Sequence, residues 1–338
     1  MTAFHFGGMT SASFFGSQEG ASDMARIGLI GFGGIGIEAA KALIQDTNLT
    51  CDIVAFDRKE AVEQVPGAQV GAYEEILDAI GILQTADTLQ LTSDLNDLAG
   101  CEAFIFTAGL PRRADQSRSD LIGVNVAIVG GITEKLGQVA PDAMMIMVTN
   151  PLDAMVELAY RNLGYPDHKV VGQAGVLDTG RFTIAAALAT GKPASQVDTI
   201  VMGGHGPTMV PVYSAARVAY KPLAQCLDDD ATAEITQSVR ARGKTIIQRQ
   251  GRSAVFSTAL AAVKMAKAYL LDTREILPAC TRLHGEYGYD GLFAGVPTLF
   301  SRDGVQAVEI PLSAQEKSAF DESVAAVRQV VGELDSVS

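Results

Sequence analysis

From Arg26 onward the apolar positions follow two rhythms. Short apolar runs at Ile27 to Ile30, Ile53 to Phe56, Phe104 to Phe106 and Met144 to Val148, with a weaker one near Thr88 to Leu91, read as strands covered on both faces. Between them, Ile37 to Ile44 and Leu121 to Leu136 place apolar residues every three or four positions, the period of a helix. Strand followed by helix, repeated, predicts right-handed crossovers and a doubly wound parallel sheet. Thr149-Asn150-Pro151 closes this series. Beyond it the helices lengthen, to about 152–163, 176–190, 230–249 and 253–271, with a last one at about 312–334. Strands near Val170 and near Ile200 frame the helix that carries Asp178 and Arg181. A chain of 338 residues exceeds what one core accommodates, so two lobes are expected. They are read as 24–150 and 151–338, the second of α+β type, after a flexible extension over 1–23.

Composition narrows the classes. Hydrophobic residues make up 48% and charged residues 19%, as in an ordinary globular protein. No charge-free apolar run reaches the ~18 residues of a membrane span. The 39 acidic residues outnumber the 26 basic ones for a net charge of −13, the wrong sign for a nucleic-acid partner. The same charge repels a dianionic substrate at long range, so such a substrate needs a local arginine cluster. Cys51, Cys101, Cys226 and Cys280 are far apart and lack metal-ligand spacing, which points to a reducing, cytoplasmic compartment and to no metal. Residues 1–23 have no Lys or Arg, hence neither a signal peptide's basic start nor a transit peptide's arginines, and Met24 is an alternative start of translation.

Gly31-Phe32-Gly33-Gly34-Ile35-Gly36 lies between the first strand and the first helix. Gly31, Gly33 and Gly36 fit the G-x-G-x-x-G pattern, in which a tight turn and a helix N-terminus receive a pyrophosphate. Asp57 follows Gly36 by 21 residues at the end of the second strand, where a carboxylate binds a ribose 2'-hydroxyl. The pair predicts an N-terminal Rossmann domain that takes NAD. Arg58 and Lys59 are what an NADP site would use, but a 2'-phosphate there would meet the charge of Asp57.

Three elements carry chemistry. Gly203-Gly204-His205-Gly206 puts a histidine at a strand end among glycines that allow a ligand to approach. Asp178 and Arg181, at i and i+3, share one helix face. Arg112, Arg113 and Arg118 follow the strand at 104–106, on a loop hinged near Gly109 and able to close over a substrate. Each has a plainer reading, as a structural histidine, a local ion pair or a solvated basic loop. Ketone reduction joins them: charge builds on the carbonyl oxygen, so a cation and a proton donor that titrates near neutrality are needed, and an arginine fork holds the acid.

At this point the sequence resembles the lactate/malate dehydrogenase superfamily, and in particular the lactate-dehydrogenase-like malate dehydrogenases of bacteria. The resemblance rests on IGLIGFGGIG, TAGLPRR followed by SRSDL, VTNPLDAM, KVVGQAGVLDTGRF, GGHGPTMVP and FAGVPTLF, in family order. It implies His205 as acid/base, Asp178 as its carboxylate partner, Arg181 on the carboxylate beside the reacting carbon, and Arg118 polarising the carbonyl. It further implies Asn150 at substrate and nicotinamide, Asn125 along the cofactor, and Gly34, Ile35 and Val148 lining the cofactor. Arg112 matches the position that selects malate when arginine and lactate when glutamine. The implied activity is reversible conversion of (S)-malate and NAD to oxaloacetate and NADH, in a homodimer or homotetramer. A lactate or other 2-hydroxy-acid dehydrogenase and a catalytically silent nucleotide-binding homologue are the alternatives. Three departures stand out: Arg113-Ala114-Asp115-Gln116 replaces Lys-Pro-Gly-Met, Pro207 replaces Asp, and 58–85 matches poorly.

Overall fold

The computed structural model describes residues 24–110 and 118–336, so the expected extension over 1–23 lies outside the described residues. The first half runs β1 (Ala25–Ile30), α1 (Gly34–Ile44), β2 (Cys51–Phe56), α2 (Lys59–Glu63), α3 (Ala68–Leu83), β3 (Thr88–Thr92), β4 (Ala103–Phe106), α4 (Arg118–Val139), β5 (Met144–Met147), α5 (Leu152–Leu163) and β6 (Val170–Gly172). Its strands lie parallel in the order β3-β2-β1-β4-β5-β6, the doubly wound arrangement that the alternating rhythm predicts. Every residue of β4 and β5 is buried, because helices cover both sides of the sheet. Gly28 is required at the centre: a Cβ there would come within 2.5 Å of the Phe104 ring on the neighbouring strand.

The second half continues with α6 (Gly175–Thr190), β7 (Val197–Asp198), β8 (Val201–Met202), β9 (Val210–Pro211), β10 (Arg217–Val218), β11 (Lys221–Pro222), α7 (Asp229–Gln250), α8 (Phe256–Leu270), β12 (Ile276–His284), β13 (Asp290–Ser301), β14 (Gly304–Ala307) and α9 (Ala314–Gly332). Its long strands do not form a sheet of their own. Through the pairing of Cys280 with Gly172, β12, β13 and β14 extend the first half's sheet antiparallel to nine strands. One apolar cluster unites α1 and α8 on one face, and another unites α4, α5 and the end of α9 on the other. Each fully buried Phe, such as Phe104, Phe293 or Phe300, contributes roughly 1.5–3 kcal/mol.

Helix ends obey local rules. Asp228 caps α7 by accepting from the Ala231 amide, and α7 stops at Gly251 with φ +73°. A capping box between Ser313 and Glu316 starts α9. Helices α2 and α3 fill the stretch 58–85, for which the sequence offered no assignment. Only Ile76 of α3 is fully buried while Leu77, Ile82 and Leu83 face outward, so the apolar period is blurred. Among the described residues no helix is long and apolar enough to cross a membrane.

Candidate active site

The glycine turn sits between the C-terminal end of β1 and the start of α1. Gly31 has φ +93°, and a Cβ there would lie 2.7 Å from the Ala108 nitrogen. At Gly36 a Cβ would lie 2.2 Å from the Gly31 carbonyl oxygen, so the helix can approach the turn only without a side chain. By contrast, nothing lies within 4 Å of the Cβ position at Gly33. The turn is tight on its protein side and open above Gly33, the cradle that a pyrophosphate needs. Asp57 supports it from β2: Oδ2 accepts the Phe32 amide at 2.8 Å and Oδ1 accepts the Arg58 amide at 2.8 Å. A carboxylate offers about four acceptor positions, which leaves two for a ribose diol. Ile35 packs partly into the core cluster, and Val148 is buried just past β5.

Next to the turn, Asn125 joins two loops. Fully buried on α4, it accepts the Leu110 amide at 2.8 Å through Oδ1 and donates through Nδ2 to the carbonyl of Asn150 at 2.6 Å. Thr149 donates to the Ala108 carbonyl at 2.8 Å, and a Cβ at Gly109 would meet its methyl at 2.5 Å. The exposed Asn150 is therefore held through its backbone carbonyl. Arg112, with Arg113 to Gln116, lies outside the described residues, as does the side chain of Arg118; α4 begins at Arg118.

The second element is a junction built on Asp178, in the first turn of α6 and 2% exposed. One oxygen stands 2.8 Å from Nδ1 of His205 and the other accepts from Arg181 at 2.7 Å. The i, i+3 spacing thus delivers the shared face read from the sequence. A carboxylate only accepts, so Nδ1 of His205 carries its proton toward Asp178 and Nε2 remains for exchange with a ligand. The His205 side chain keeps 21% of its surface exposed. Burial pulls its pKa down, but the charge and hydrogen bond of Asp178, with the charge of Asp153, outweigh this and hold it above the ordinary 6.5. Arg181 is 11% exposed, and its Nε is buried without a hydrogen-bond partner among the described residues.

His205 sits in the loop between β8 and β9, which is held from three sides. Gly203, at φ +86°, donates its amide to the Gly295 carbonyl of β13 at 2.8 Å. The amide of Gly204 donates to Ser323 of α9 at 2.9 Å, and that of His205 to Oδ2 of Asp153 on α5 at 3.2 Å. A Cβ at Gly203 would lie 2.3 Å from the Ser323 hydroxyl. Gly203 is thus needed for the loop to seat, whereas nothing lies within 4 Å of the Cβ position at Gly206. Neither Asp153 nor Ser323 was singled out from the sequence. Asp153 had a signal, as the lone charge in an otherwise apolar first turn, Leu152 to Val156, where every side chain is buried. Ser323 had none. Among the described residues no cluster of three or more His, Cys, Asp or Glu is placed to hold a metal ion.

Comparison with known proteins gives one pattern. Residues 25–172 match the lactate/malate dehydrogenase NAD binding domain, and 175–335 match the alpha/beta C-terminal domain of the same family. A malate dehydrogenase of Thioalkalivibrio sulfidiphilus is 36% identical over 314 residues, covering 92% of this chain and all of the relative. One of Pelagibacter ubique is 35% identical over 90% of this chain and 95% of the relative. Among solved structures, the malate dehydrogenase of Cryptosporidium parvum superposes with a TM-score of 0.86 at 34% identity, covering 93% of this chain and 99% of the other. The lactate dehydrogenase of that organism, complexed with lactic acid and NAD, gives 0.87 at 33% identity with the same coverage.

Proposed function

The chain belongs to the lactate/malate dehydrogenase family, and from this premise we propose that it interconverts (S)-malate and oxaloacetate with NAD. The observation that carries the reading is the Asp178 junction, where one buried carboxylate orders both an imidazole and a guanidinium. NAD, when bound, supplies the acceptor for the hydride that leaves C2 of malate. Nε2 of His205 takes the hydroxyl proton in that direction, and the imidazolium returns it to the carbonyl oxygen in the other. Asp178 stabilises the imidazolium, and Arg181 grips the carboxylate beside the reacting carbon. Arg118 polarises the carbonyl and Asn150 orients substrate against cofactor. The glycine turn, Ile35, Asp57, Asn125 and Val148 hold the cofactor, with Asp57 favouring NAD over NADP.

Arg112 assigns the substrate. Enclosed against the methyl group of pyruvate, its charge would stay unpaired at a cost of roughly 3 kcal/mol or more, which the second carboxylate of oxaloacetate removes. A panel of 2-keto acids with NADH, followed by absorbance, tests the reading. Oxaloacetate should give the highest kcat/KM, and Arg112→Gln should move the preference toward pyruvate by more than tenfold. A wild-type preference for pyruvate would replace malate by lactate, and no turnover of any keto acid would leave a silent homologue.

The protein is further proposed to be a cytoplasmic homodimer or homotetramer, with no nucleic-acid or membrane partner. Ile184 and Leu188 on α6, with Phe256 and Leu260 on α8, expose apolar side chains at helical spacing, which supports self-association. The unpaired cysteines suit a reducing compartment. Cell fractionation followed by light scattering tests both, and a periplasmic or monomeric protein would contradict them.

A further inference from the structure

Asp153 is a second buried carboxylate at His205, and the reaction proposed above gives it no role of its own. It is 7% exposed, inside the first turn of α5, among Leu152, Ala154, Met155 and Val156, each 2% exposed or less. Burying a carboxylate is costly, so such a group is retained where it has specific partners. Its Oδ2 accepts the His205 amide at 3.2 Å, and the thiol of Cys280 on β12 lies 3.9 Å from Oδ1. The turn just before it holds Asn150, fixed in turn by Asn125. Asp153 therefore spans two parts of the site that are 52 residues apart in sequence.

We propose that Asp153 is a positioning residue for the proton-transfer step, fixing the His205 backbone to the turn that carries Asn150 so that imidazole and cofactor-side asparagine keep one register. The proposal rests on His205 being the proton-exchanging group, as inferred above. Packing supports it, because a Cβ at Gly204 would lie 3.3 Å from Oδ2 of Asp153 and 2.6 Å from Val327. The loop is thus pressed onto the carboxylate with no room for slack.

The charge of Asp153 has a second effect. Among the described residues, the charged groups facing His205 are Asp178 and Arg181 from α6 and Asp153 from α5. Arg240 of α7 donates to the Met209 carbonyl in the same loop, and α9 contributes the uncharged Ser323. From β12 comes Cys280, whose thiol burial pushes well above its ordinary range, so it stays neutral. Within this described set the negative charge of Asp153 supports the imidazolium.

Asp153→Asn separates this from a merely structural role. The amide oxygen can still accept from the His205 N–H, while the charge is gone. In the full-length protein without substrate, NMR titration of the histidine rings should show His205 titrating lower than in the wild type. Where the wild type turns over a keto acid, the corresponding limb of its kcat/KM profile should move by the same amount, with the Kd for NADH within twofold. Asp153→Ala, which also removes the tether, should lower kcat more than tenfold beyond Asp153→Asn. A kcat for Asp153→Ala within threefold of that of Asp153→Asn, in variants that fold, overturns the proposal, and an unmoved His205 titration in Asp153→Asn overturns the charge effect. Wild-type inactivity toward every keto acid would instead overturn the proposed function, and the titration would still be readable.

Discussion

Asp178→Asn should lower kcat about a thousandfold or more, with the Kd for NADH changed less than about threefold. The carboxylate is an acceptor on both sides, toward Nδ1 of His205 and toward the Arg181 guanidinium. An amide has one accepting and one donating end, so one of the contacts must become donor against donor. If the NH2 group faces Arg181, that guanidinium loses its anchor. If it faces His205, the ring adopts the other tautomer, with hydrogen on Nε2, and can no longer receive a hydroxyl proton. Reversing a catalytic tautomer costs on the order of ten-thousandfold in the serine-protease triad.

A stability measurement checks the same contact. Asp178 holds the His205 pKa above 6.5 against the opposing effect of burial, so the folded protein binds the proton more tightly than the unfolded chain. The resulting stabilisation is full below the unfolded pKa of about 6.5 and fades as pH rises through the raised folded value. The Tm difference between wild type and Asp178→Asn should therefore be larger near pH 5.5 than near pH 9. A kcat within tenfold of wild type, in a variant that folds, would remove Asp178 from the mechanism.

What the sequence could disclose was set by the range of each interaction. The strands β1, β4 and β5 were legible because burial on both faces leaves continuous apolar runs. Asp178 and Arg181 were legible because a helix fixes i, i+3 neighbours whatever the tertiary structure. The placement of β12 to β14 on the first half's sheet was not, since the pairing of β12 with β6 that joins them to it crosses more than a hundred residues. Asp153 and Ser323 were missed for a related reason. Each works through a backbone amide of the His205 loop, 52 and 119 residues away, and an amide is the same at every position in a sequence. Pro207, where the family has Asp, falls at an exposed position of that loop. Arg112 and Arg113 stood out as cations clustered on one loop of an acidic chain, whereas the substrate-selecting role of Arg112 came from the resemblance.

Arg181→Lys should cost kcat/KM for the 2-keto acid about a hundredfold or more, expressed chiefly in KM, with NADH binding unaffected. Arginine can serve two anions at once: here it donates to Asp178 through one nitrogen, while Nε, buried and without a partner among the described residues, adjoins nitrogens suited to a planar carboxylate. Lysine offers a single ammonium on a flexible stem. If that ammonium stays with Asp178, the substrate carboxylate has no fork to enter; if it turns to the substrate, Asp178 loses its cation in a site where it is 2% exposed. Either outcome breaks a desolvated charge pair, worth about 2–5 kcal/mol, and about 1.4 kcal/mol is a factor of ten. Because the contact forms with the carboxylate before any bond changes, most of the loss belongs in binding, and kcat at saturating keto acid should fall less than tenfold. Steady-state kinetics decide it: a KM within threefold of wild type would mean that Arg181 serves only to hold Asp178, and that the substrate carboxylate is bound elsewhere.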